Sequence, residues 1–252
     1  MISLIPLEGI PEVRPGDDLA ALITAALGAG GIGLADEDVL VVTQKVVSKA
    51  EGRVVQLASV TPRDEAREWA AKWGKDARQV ELVLQESAEI VRMAPGGLII
   101  SRTRHGLVCA NAGVDLSNVG GTEAATLLPE DPDQSARALR SRLGELAGAR
   151  PVVIISDSFG RPWRSGIVNV AIGAAGIEVL ADLRGTPDAQ GRTMQSTVIA
   201  VADELASAAD LAGGKVAQVP VVLVRGYRYV VPAAEDSGAA ALVMPREQDL
   251  FP

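Results

Sequence analysis

Three uninterrupted apolar runs constrain this chain more than any other feature. They are Asp38–Thr43 (Asp-Val-Leu-Val-Val-Thr), Pro151–Ser156 (Pro-Val-Val-Ile-Ile-Ser) and Val219–Val224 (Val-Pro-Val-Val-Leu-Val). Each is short and rich in β-branched residues, the signature of a strand buried in a sheet. Helical patterns interleave with them. Asp17-Asp18 caps an apolar periodicity through Leu27, and Thr61-Pro62-Arg63-Asp64 reads as a helix start with Thr61 as cap. Asp76 to about Arg92 and Asp131 to Leu146 carry helical spacing, and Ser196–Leu211 reads as a long Ala-rich helix. Leu98–Ser101 and Leu107–Asn111 read as a strand pair turning through Arg104-His105-Gly106. Ile167–Ile172 and Ile177–Leu180 are shorter strand candidates. Strands and helices do not alternate strictly, so the expected class is mixed α/β (α+β) rather than a doubly wound sheet. The expected organisation is a single domain over 1–252; two lobes are compatible with the length, and no boundary is marked.

Charge and residue counts exclude whole classes of function. Lys plus Arg total 24 against 32 Asp plus Glu, a net charge of −8, which disfavours a general nucleic-acid footprint. The one Cys, Cys109, rules out an intramolecular disulfide. The one His, His105, reads as an exposed turn residue and rules out a two-histidine metal site. No apolar run approaches bilayer length, and the N-terminus has no basic, signal-like start, so the reading is cytoplasmic with no membrane partner. Gly28, Gly30 and Gly33 fit G-x-G-x-x-G. The fingerprint needs strand, glycines, helix, whereas the order here is helix, glycines, strand, so these glycines read as a connection.

Four segments carry candidate chemistry. Gln44-Lys45-Val46-Val47-Ser48-Lys49 follows the first apolar run, and ligands gather beyond the carboxyl ends of such strands. Lys45 and Lys49 share a face if a helix begins there; they either cradle an anion or point to water. Asn111–Gly121 surrounds Asp115 with amides and small residues, an oxygen-rich loop suited to a hard cation or, equally, a capped turn. Asp157 and Ser158 leave the second apolar run, with Arg161 and Arg164 following. A carboxylate there needs a metal, a guanidinium or N–H donors as partner. Gly185–Thr197, with Gln195, precedes the last helix and is either a phosphate loop or an ordinary capped loop.

Taken in order, these motifs resemble the coenzyme F-420-0:L-glutamate ligase family, the γ-glutamyl ligases of deazaflavin coenzyme biosynthesis. The resemblance runs from Leu4-Ile5-Pro6-Leu7-Glu8-Gly9-Ile10-Pro11-Glu12 through Gln44–Arg53, Asn111–Asp115 with Ser117-Asn118-Val119, and Ser156–Arg161, to Ala202-Asp203-Glu204 and Val224-Arg225-Gly226. It implies a two-lobed mixed α/β fold peculiar to the family and a homodimer. It also implies addition of L-glutamate through a γ-linkage to the deazaflavin precursor, driven by GTP through an acyl phosphate. Ile10, Pro11, Gln44, Lys45, Lys49 and Asn118 are implied to contact GTP. Asp115 and Asp157 are implied as catalytic and, with Ser158 and Gln195, as ligands of Mg2+ or Mn2+. One or two ions per site, and a monovalent cation, are compatible with this pattern. Ser158 stands where Thr is usual, and Gln44 replaces a small hydroxyl residue. Two other readings stay open: a metal-dependent nucleotide hydrolase or phosphotransferase on the same acidic loops, and a non-catalytic nucleotide- or deazaflavin-binding protein.

Overall fold

The three apolar runs become the three inner strands of one five-stranded sheet. The computed structural model describes residues 1–116, 123–214, 217–232 and 238–249. In chain order the elements are β1 (Ser3–Pro6), α1 (Leu19–Ala29), β2 (Val39–Thr43), α2 (Gln44–Ala50), β3 (Val54–Gln56), α3 (Asp64–Trp73) and α4 (Ala77–Glu86). There follow β4 (Ser87–Ala94), β5 (Leu98–Thr103), β6 (Val108–Ala110), β7 (Ala124–Thr126) and α5 (Pro132–Ala147). The chain continues through β8 (Val152–Arg161), β9 (Arg164–Ala175), β10 (Ala181–Asp182), β11 (Val198–Ile199), α6 (Val201–Gly213) and β12 (Val221–Arg225).

The main sheet has the order β1-β12-β2-β8-β9, and only β2 and β8 run parallel. Successive side chains alternate between two apolar layers. Leu40, Val42, Val153, Ile155, Val221 and Leu223 pack with Ile23 and Leu27 of α1 and with Leu139 and Leu143 of α5. Val39, Val41, Val152, Ile154, Val222 and Val224 pack with Val201, Leu205 and Ala209 of α6. Both faces are covered by helices, so the inner strands are apolar at every position. A third cluster is built from residues 57–127, where Leu57, Ala66, Val80, Val83, Ile99 and Leu127 gather α3, α4 and the sheet β4-β5-β6.

Several boundaries differ from the sequence reading. Helix α3 starts at Asp64 with Arg63 as its flanking residue, not at Thr61. Glu81 of α4, almost fully buried, accepts the Arg63 backbone N–H at 2.9 Å and its guanidinium at 2.7 Å, fixing the entry from a distant segment. Helix α4 stops at Glu86 rather than about Arg92, because Ser87 opens the ladder of β4 with β5. Helix α6 starts at Val201 rather than Ser196, since Val198 and Ile199 pair with Asp182 and Ala181. Ile177–Leu180 is not a strand, although Ile177 and Val179 are buried against α6. The strand expected to end at Ser156 runs on to Arg161 and returns as β9, forming one long hairpin. His105 is half-buried, with Nε2 at 3.0 Å from the carbonyls of Pro129 and Glu130.

Candidate active site

The segments singled out for their chemistry meet at one edge of the main sheet. β2 ends at Thr43, and α2 begins at the next residue. β8 loses its β2 neighbour after the Thr43–Ser156 pair. Asp157 and Ser158 therefore lie where the sheet opens, although β8 itself continues and pairs them with Val170 and Asn169. A cavity of about 800 Å³ forms there. That lies within the size range of small-molecule sites.

One turn of α2 separates Lys45 from Lys49, placing both on the cavity wall. Each ammonium is matched by a carboxylate from another segment. Lys45 Nζ lies 2.7 Å from Asp115 Oδ2, and Lys49 Nζ lies 2.6 Å from Glu12 Oε1. Lys49 is only 6% exposed, so the reading in which it points to water is excluded. Gln44 is buried beneath them, its amide oxygen accepting the Ser48 hydroxyl at 2.8 Å.

Asp115 arrives through an unusual turn. Asn111, Ala112 and Gly113 all have positive φ (52°, 52° and 72°), a left-handed stretch that costs energy for the first two. Gly113 tolerates it and also packs closely on Leu128, where a Cβ would sit 2.6 Å from Leu128 Cγ. Asp115 then exchanges two backbone hydrogen bonds with Thr126, at 3.0 and 2.8 Å, which fixes it beside α2. Next to the site, burial first and the Asp157 charge second push the Cys109 thiol up to about 12, so it stays protonated and is no nucleophile.

Of the residues expected at the site, Ile10, Pro11, Gln44, Lys45, Lys49, Asp115, Asp157 and Ser158 line this cavity together. Asn118 lies outside the described residues. Gln195 is not brought to the cavity. It sits exposed on the arm between β10 and β11, with its amide 3.3 Å from the Thr193 carbonyl. Within that arm Asp188 accepts the Gln190 and Arg192 N–H groups at 2.8 Å, and the first turn of α6 beyond it carries Asp203 and Glu204. Arg161 and Arg164 flank the hairpin tip, and Arg161 Nη2 bonds the Ser165 carbonyl at 3.1 Å. Four strand residues past Asp157 is about 13 Å. The cavity also holds Glu12, Asn169, Asp210 and Gln218, which residue patterns did not single out as site residues. Glu12 belongs to the Leu4–Glu12 segment that carries the family resemblance. Asn169 had one signal, a polar residue inside an otherwise apolar strand.

The family model for F420-0:Gamma-glutamyl ligase matches residues 9–226. The coenzyme F420:L-glutamate ligase of Methanothermobacter thermautotrophicus is 47% identical over 251 residues, covering 99% of this chain and 98% of the relative. The Methanopyrus kandleri enzyme of the same name is 46% identical over 252 residues, covering 99% and 96%. That of Archaeoglobus fulgidus is 44% identical over 227 residues, covering 89% and 88%. The chain belongs to the F420-0:gamma-glutamyl ligase family.

The donor set of this family member suits a hard divalent cation. Asp115 and Asp157 supply carboxylates and Ser158 a hydroxyl, all oxygen donors. Ser156 Oγ, on the same wall, is buried and has no hydrogen-bond partner among the described residues. No group of three or more His, Cys, Asp or Glu suited to a metal occurs among the described residues, so a cation held here would need neutral oxygens besides the two carboxylates. Also among the described residues, no helix is long and apolar enough to cross a membrane.

Proposed function

We propose that this family member is a GTP- and divalent-metal-dependent ligase that adds L-glutamate, through a γ-linkage, to the deazaflavin coenzyme F-420-0. The carrying observation is the meeting of Lys45, Lys49, Asp115, Asp157 and Ser158 in one cavity, from three separated segments. A carboxylate does not condense with an amine in water unless it is activated. In the proposed reaction the γ-phosphoryl of GTP passes to the terminal carboxylate of the precursor, giving an acyl phosphate and GDP. The glutamate amine then attacks the acyl carbon and phosphate leaves.

Such chemistry rests on positioning and charge neutralisation. Asp115, Asp157 and Ser158 would hold a Mg2+ or Mn2+ ion, which would supply charge stabilisation for the transferring phosphoryl group. Lys45 and Lys49 carry the remaining compensation, exchanging Asp115 and Glu12 for nucleotide oxygens. Both are short-range devices, which a protein of net charge −8 needs for anionic substrates. Ile10, Pro11, Val219 and Pro220 give the cavity an apolar wall that limits hydrolysis of the activated carboxyl. The active species is proposed to be a cytoplasmic homodimer, which light scattering on the purified protein tests directly.

The deciding assay combines purified protein, F-420-0, L-glutamate, GTP and Mn2+, with products read by mass. The expected result is a gain of one glutamate residue, absent without metal. GTP turnover that needs neither glutamate nor precursor would instead make the protein a nucleotide hydrolase.

A further inference from the structure

The hairpin β8–β9 contains an irregularity beside the site. Ile155 pairs with Gly173, but the next residue, Ser156, pairs with Ala171, so β9 carries one extra residue there. Such bulges free backbone groups and re-aim side chains. Two residues of α6, one turn apart, take up the backbone groups on β9. Asp203 Oδ1 accepts the Ala171 N–H at 2.9 Å, and the Ser207 hydroxyl donates to the Asn169 carbonyl at 2.7 Å. The strand is thereby held at the Asn169 carbonyl and two residues further on, and Asn169 is only 7% exposed.

Asn169 stands directly opposite Ser158 in the ladder, and the Ser158 hydroxyl donates to Asn169 Oδ1 at 2.7 Å. An amide oxygen only accepts, so this bond commits the hydroxyl proton and turns the Oγ lone pairs elsewhere. A hydroxyl that ligates a cation needs such an acceptor, because the cation draws electron density from the oxygen and makes the O–H a stronger donor. Ser158 and Asn169 both line the cavity with Asp157. We infer that Asn169 is a positioning residue that takes the Ser158 proton and so fixes its oxygen as a neutral ligand for a divalent cation. This rests on the metal assignment made above, and it adds a partner outside the ligand set, anchored by α6 through Asp203 and Ser207.

The test is direct Mn2+ binding by the full chain, followed by the loss of the free-ion paramagnetic resonance signal, with no nucleotide or substrate present. Asn169→Ala is expected to weaken Mn2+ binding about 10- to 100-fold, the range for removing a partner that orients a ligand. Asn169→Asp keeps the acceptor and the shape, and is expected to bind Mn2+ at least as tightly as the parent. Ser158→Ala should weaken binding too, and adding Asn169→Ala to it should cost nothing more, because the effect of Asn169 travels through Ser158. A merely structural role would lower the melting temperature and leave affinity additive across the two sites. Parental Mn2+ affinity in a folded Asn169→Ala protein, multiplied losses in the double variant, or weaker binding by Asn169→Asp would each overturn the inference. If the alanine variant does not fold, Asn169→Asp decides alone. A parent that binds no Mn2+ overturns the inference together with the metal assignment. A parent that binds Mn2+ in the expected pattern but never adds glutamate refutes the ligase reading and leaves this one standing.

Discussion

At the scale of single residues, the site is a set of charges held by exchangeable partners. Lys49 is nearly buried, yet its carboxylate partner Glu12 is exposed. Lys49→Ala therefore leaves Glu12 free to hydrate, and the fold should survive. Loss of a charge-assisted contact should weaken GTP binding by about 1.5–3 kcal/mol, read by calorimetry. Unchanged affinity in a folded variant would remove Lys49 from the nucleotide site. Asp157→Asn keeps the side-chain shape and removes one negative charge. Arg161 already bonds the Ser165 carbonyl, so the melting temperature without added metal should hold or rise. Stabilisation by Mn2+ should shrink, since it follows the ratio of free ion to its dissociation constant. Turnover should fall by at least about a hundredfold. A variant that melts early and is still stabilised by Mn2+ like the parent would mean that Asp157 is a structural brace.

At the scale of elements, helix ends are set by groups the local sequence does not contain. The Glu81 carboxylate of α4 accepts from the Arg63 backbone, the Arg63 guanidinium and the Gln85 amide. The Arg63 side-chain bonds are the main cause that brings its carboxyl down to about 2 from an ordinary 4.5. A carboxyl lowered in the folded state binds its proton more readily when unfolded. The stability it contributes is complete above about pH 4.5 and is lost as pH falls toward about 2. With Arg63 half-exposed and partly screened, the contribution is roughly 1–3 kcal/mol. Melting curves of the parent and Glu81→Gln should therefore converge across that acid range and separate above it. Parallel curves from pH 2 to 7 would show that the clamp contributes nothing.

At the scale of the whole molecule, one buried carboxylate ties the C-terminal segment to the main sheet. Asp133 of α5 accepts N–H groups from Ala174 of β9 at 2.8 Å, and from Ala239 and Ala240 at 2.7 and 3.1 Å. Asp133→Ala strands three such donors, at a cost of about 3 kcal/mol or more. For a chain of this length that lowers the melting temperature by roughly 6–12 °C. Calorimetry on the variant checks it, and a shift below about 2 °C would show that the segment is held by other contacts. The same scale separates what was legible in the sequence from what was not. The inner strands were legible because both faces of the sheet are buried, so β2, β8 and β12 admit apolar residues at every position. The cap Asp18 and the helix starts at Asp76 and Asp131 were legible because a cap bonds N–H groups two or three residues away. The charged residues leaving β2 and β8 stood out because chemistry-bearing side chains follow apolar strands without an intervening loop. The start of α3 and the end of α4 were decided by partners distant in the chain, Glu81 and the β5 ladder, and the length of the β8–β9 hairpin by the pairing of β8 with β9. The pairing of Lys45 with Asp115 and of Lys49 with Glu12, the place of Gln195 on the β10–β11 arm and the entry of Asn169 also came only with the tertiary structure. Hydrogen bonds and ion pairs act over a few ångströms in space, while sequence patterns report only neighbours along the chain.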